Sequence, residues 1–132
     1  DHYARAMAAW GALIAISGFV YDGPAGMIGF APTFKPDNFQ AFFTAAEGWG
    51  SLVQRRTAEA QENRFEVKWG KLSARTLVFE LPAGKKLRTA TVNTAGKKID
   101  ATAKQDGLKV TLDLGKPITI IADRDVTITL EW

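Results

Sequence analysis

The last quarter of the chain alternates. Leu108, Val110, Leu112 and Leu114 take one side while Lys109, Thr111 and Asp113 take the other, and Val126, Ile128, Leu130 and Trp132 repeat the pattern against Thr127, Thr129 and Glu131. A period of two belongs to a strand with one dry and one wet face. Upstream, short apolar runs separated by turn residues predict further strands at 19–21, 27–31, 39–46, 49–57, 64–69, 72–81, 87–93 and 98–104, which join those at 108–114, 117–121 and 125–132. Punctuation comes from Pro32, Pro36, Gly48, Gly70, Gly84, Gly96, Gly107 and the Gly115–Pro117 stretch. Sheets that are dry on one face need a second layer, so the expected fold is mainly β, an antiparallel β-sandwich.

The front of the chain has a different period. Tyr3, Met7, Trp10, Leu13 or Ile14, and Ser17 recur at helical spacing, Asp1 is placed to cap the start, and Gly18 follows where a left-handed C-cap belongs. Ala4, Ala8, Ala9, Ala12 and Ala15 fill the other faces, so this helix has almost no polar side. Its apolar stretch, Ala6 to Ile16, is too short to span a bilayer. It has the length of a signal-peptide core, but the preceding residues carry one Arg balanced by Asp1. The remaining reading is burial against other helices, which divides the chain into 1–18, a helix belonging to a helical layer elsewhere, and 19–132, the sandwich.

Composition narrows the chemistry. A length of 132 residues suits one core. The formal charge of +3 is dispersed, with pairs such as Arg55-Arg56, Lys85-Lys86 and Lys97-Lys98 rather than a basic run with interleaved aromatics, so nucleic acid is not the expected partner. With no cysteine there is no disulfide framework, thiolate zinc site or cysteine nucleophile. A single histidine, His2, leaves Ser17 and Ser51 without an activating base, and neither serine stands in a nucleophile elbow. The "DRD" at 123–125 is too short for an EF-hand ligand set. No metal or cofactor is called for, and the sequence assigns no compartment.

The ordered motifs between residues 3 and 56 carry more. Ser17-Gly18-Phe19-Val20-Tyr21-Asp22-Gly23, then Phe30-Ala31-Pro32, Phe42-Phe43 and Gly48-Trp49-Gly50 resemble the C-terminal end of glycoside hydrolases related to bile-acid β-glucosidase and non-lysosomal glucosylceramidase. The resemblance implies that the helix is the last of an (α/α)6 barrel and that the catalytic carboxylates lie upstream in that barrel. No position here matches their motifs, and no catalytic residue is assigned. Residues 57–132 add only a generic strand pattern.

Three residues are candidates for contact with sugar: Tyr21 beside the Asp22-Gly23 turn, and Glu47 next to Trp49, an indole between two glycines. Asp22 reads as a turn residue, and Trp10, Trp69 and Trp132 as core. The expected function is therefore a non-catalytic C-terminal domain of a glycoside hydrolase, bracing a helical barrel of the same protein or of a partner subunit. The alternatives are an independent carbohydrate-binding module and a small structural subunit of a two-chain enzyme. The apolar helix also predicts self-association wherever its barrel is missing.

Overall fold

The computed structural model describes residues 11–12 and 15–132. The expected cap at Asp1 and the helical face of Tyr3, Met7, Trp10 and Leu13 or Ile14 lie outside the described residues. Residues 11–12 and 15–17 are helical, and Gly18, at φ 60°, ends the helix in the left-handed conformation that glycine adopts most readily.

The rest of the chain is mainly β. In order come β1 (Val20–Asp22), β2 (Met27–Gly29), β3 (Asn38–Ala45), β4 (Gly48–Arg56), β5 (Ala60–Glu80), β6 (Thr89–Thr94), β7 (Lys97–Ile99), β8 (Thr102–Asp106), β9 (Lys109–Ile121) and β10 (Asp125–Glu131). One layer runs β1-β2-β5-β9-β8 and the other β3-β4-β5-β10-β6-β7. Strand β5 is shared: its first half pairs with β4 and β10, its second half with β2 and β9. Every pairing is antiparallel except β2 with β5. That parallel contact is reached after the chain has crossed to the other layer through β3 and β4, the long connection that parallel neighbours require.

Two pairs of expected strands are single. The segments at 64–69 and 72–81 join as β5, which passes Gly70 at φ 72°, and those at 108–114 and 117–121 join as β9, which passes Gly115 at φ 77°. Neither glycine ends its strand: Gly70 stays paired with Gly48 two residues beyond a register break at Lys68, and Gly115 falls within the break between Asp113 and Ile118. Leu108 is a further departure from the alternation, since it falls in the turn before β9 and is exposed.

The core lies between the layers. Phe65 on β5 meets Phe30 edge-on at 5.3 Å between centroids and Phe43 at 5.8 Å, while Phe30 also meets Phe79 at 5.6 Å. These perpendicular contacts set the positive edge of one ring against the negative face of another. Val126, Ile128 and Leu130 of β10 close the same core from the side, as their alternation predicts.

One end of the core is polar. Gln54, Gln61 and Asn63 point inward and are fully buried. Asn63 Nδ2 donates to Gln54 Oε1 at 2.6 Å, Gln61 Nε2 to Asn63 Oδ1 at 2.7 Å, and Gln54 Nε2 to the Pro36 carbonyl at 2.9 Å. Arg56 Nε donates to Gln61 Oε1 at 2.7 Å. Burial pushes the Arg56 guanidinium down from its ordinary value, against the opposing influence of Asp37 and Glu80. Because these amide partners satisfy one another, the cluster fixes the pairing of β4 with β5 without leaving a buried amide unbonded.

Candidate functional site

The β3–β4 turn, the β1–β2 turn and the bend of β5 meet at one corner of the sandwich. Each is built from local chemistry. Asp22 Oδ1 accepts from the Ala25 N–H at 3.1 Å, the turn role expected of it, which holds the β1–β2 turn open toward the corner. At the bend, Gly48 lies opposite Gly70, and the Glu47 carbonyl accepts from the Lys71 N–H at 3.1 Å. A Cβ on Gly70 would run into that same carbonyl oxygen, so the approach of the two strands requires glycine there.

Tyr21 and Glu47, two of the residues singled out from the sequence, line one depression of about 440 Å³ together with Pro24, Lys71, Ser73 and Thr119. The Tyr21 hydroxyl accepts from the Ala46 N–H at 3.1 Å and so ties β1 to the β3–β4 turn. Its ring stacks on Phe19 at 6.3 Å between centroids. Glu47 Oε2 lies 3.2 Å from Lys71 Nζ, a pair that is more than half exposed on both sides and so is worth little to stability. The depression thus offers one carboxylate, one ammonium and hydroxyls, a set suited to hydrogen-bonding a polar ligand.

Trp49, the third singled-out residue, does not line the depression. It stands one residue beyond Gly48 on β4, 48% exposed, directly across from Trp69 on β5. Trp69 is not core, contrary to the sequence reading: it is 63% exposed. The reason is a one-residue bulge. Trp49 pairs with Trp69 and Gly50 with Val67, so Lys68 has no opposite number. Before the bulge Gln61, Asn63, Phe65 and Val67 point inward; after it the inward positions are Leu72 and Ala74, and Trp69 is turned out. Trp132, by contrast, packs against the core as expected, and its Nε1 donates to the Ala58 carbonyl at 2.9 Å.

Sequence reasoning missed Trp69 and Lys71. The legible signal for both was Gly70, the partner of Gly48, which places the residues flanking the two glycines side by side. Among the described residues no group of three or more His, Cys, Asp or Glu side chains is arranged to hold a metal. Among the described residues no helix is long and apolar enough to cross a membrane.

A second depression, of about 220 Å³ and mostly apolar, lies beside the end of the helix between Gly18, Val20, Met27, Phe30 and Val78.

No protein-family model matches the chain, and no curated protein matches it. Among solved structures it is similar to an α-L-rhamnosidase from Dictyoglumus thermophilum, a glycoside hydrolase, at 12% sequence identity and a TM-score of 0.47. The likeness covers 89% of this chain and 12% of that enzyme, so the chain spans a small part of its length.

Proposed function

We propose that this chain is a non-catalytic β-sandwich domain of a glycoside hydrolase and that it braces a helical catalytic barrel. The observation that carries the reading is the joint between helix and sandwich. The Ala31 N–H donates to the Ser17 carbonyl at 3.0 Å and the Thr33 N–H to the Ile16 carbonyl at 2.9 Å, so the last helical turn is bonded to the segment that follows β2. Ser17 is buried in that joint. Yet Ala12, Ala15 and Ile16 are exposed, and none of them is polar. A helix end that is hydrogen-bonded to a sandwich while presenting alanine and isoleucine to solvent is suited to being covered by a further apolar surface. The apolar depression beside Gly18 and Val20 extends the same surface onto the sandwich. The motifs from Ser17 to Gly50, which resemble the end of such a glucosidase barrel, support the reading that the covering surface is the barrel's neighbouring helices.

The test is a paired substitution, Ala12→Asp with Ile16→Asp. In the 132-residue chain these sites are at the surface, and the expected change in stability is within about 0.5 kcal/mol for each. In the native polypeptide or complex that carries the barrel, the same pair places two carboxylates in an apolar interface, and the thermal stability of its glycosidase activity should fall. A loss of stability in the 132-residue chain itself, with none in the larger assembly, would refute the bracing role.

A further inference from the structure

The outer face of the sandwich at β4 and β5 holds large apolar side chains that the fold does not use. Trp49 and Trp69 are 48% and 63% exposed, on directly opposed positions of an antiparallel pair, which puts both on one face. Neither indole N–H finds an acceptor among the described residues, whereas that of Trp132 does. The two rings make no ring contact with each other among the described residues, so neither covers the other.

The ground around them is bare for a structural reason. Gly48, Gly50 and Gly70 flank the indoles, and a Cβ at any of the three would strike backbone across the strand. The close approach that requires glycine also removes the side chains that would have shielded the rings.

Charge narrows the ligand. The cations nearest along the strands are all ion-paired: Lys71 Nζ lies 3.2 Å from Glu47, and Lys68 Nζ at 3.3 Å and Arg64 Nε at 3.5 Å share Glu66. The surroundings are therefore polar, with each of these cations already engaged by a carboxylate, which favours neither an anionic polymer nor a lipid tail. A neutral ligand with an apolar flat face and a hydroxylated rim fits both parts. A pyranose whose ring substituents are all equatorial has that form, with axial C–H bonds on its faces and hydroxyls around its edge.

We propose that Trp49 and Trp69 form a saccharide-binding platform for gluco-configured pyranoses, with the Glu47–Lys71 pair binding hydroxyls at its edge. The ion pair stands two positions from the indole pair along the ladder, about 7 Å at the usual strand rise, which is the reach of an adjoining sugar unit. The inference goes beyond the bracing role and does not depend on it.

Titration of the 132-residue chain with cellotetraose, read by indole emission and by amide shifts at residues 48–50 and 69–71, tests the platform. Saturable changes at those residues are expected, with binding weakened about tenfold or more by Trp49→Ala and by Trp69→Ala. A mannose tetrasaccharide, with an axial hydroxyl on each ring, should bind more weakly. Melting temperatures should stay near that of the parent chain, because neither ring packs in the core. The proposal is overturned if millimolar cellotetraose moves neither signal, or if the variants lose stability but keep the affinity. It is equally overturned if both indoles of the native barrel-bearing assembly prove shielded from a soluble quencher, since the barrel would then occupy the face. None of these failures touches the paired aspartate test of bracing.

Discussion

Phe65→Ala is expected to cost about 3–5 kcal/mol of folding stability, the usual range for a fully buried phenylalanine. At this chain length that corresponds to a fall of roughly 10–20 °C in melting temperature. The position matters because Phe65 touches Phe43 from one layer and Phe30 and Phe79 from the other. Truncation leaves a cavity at the point where β5 holds the two layers together, and neither layer can collapse into it without moving the shared strand. Phe65→Leu keeps most of the volume and should cost about 1.5 kcal/mol or less. Thermal and urea melts of both variants check this, and an alanine variant as stable as the leucine one would mean that the ring is not central.

The second large effect belongs to Gly70. Gly70 and Gly84 both have positive φ, 72° and 79°, but they differ in surroundings. A side chain on Gly84 meets nothing within 4 Å, whereas one on Gly70 meets the Glu47 carbonyl and Gly48 Cα. Gly84→Ala therefore measures the conformational penalty alone, about 1–2 kcal/mol. Gly70→Ala adds a backbone clash and should cost roughly 2–5 kcal/mol. It should also disturb the pairing of Gly48 with Gly70, and with it the geometry of Trp49, Trp69 and the Glu47–Lys71 pair. Equal losses in the two variants, measured by urea melts, would show that the close approach at the bend contributes nothing.

This bend also marks where the sequence stops being readable. Strand positions along β3, β4, β6 and β10 followed from alternation and turn residues, because each is bounded by real turns. At Gly70 and Gly115 the same residue type bends a strand that continues, and local pattern does not separate the two uses of glycine. The inward direction of Trp69 was misread for a related reason. One unpaired residue, Lys68, inverts the parity from Trp69 to Ala74, until a second irregularity between Ala74 and Thr76 restores it, and a bulge leaves no signature in a run that stays apolar on alternate positions. The buried amides were hidden differently: Gln54, Gln61 and Asn63 look like solvent-facing positions until their mutual hydrogen bonds are seen. Of the candidate site, Tyr21 and Glu47 were legible from flanking turns and do share a depression, while Lys71 reaches it only through the pairing across the bend.

The proposed role is that of a non-catalytic part of a glycoside hydrolase. Its most direct test compares two preparations on aryl glucosides: the 132-residue chain made free of host enzymes, and the native species captured with an antibody raised against residues 38–56. No turnover is expected from the chain, because under the proposed role the paired carboxylates of glycoside hydrolysis would lie in the barrel. Glycosidase activity is expected to follow the captured native species. Turnover by the purified chain, or a native species that carries the sandwich without any glycosidase activity, would contradict it.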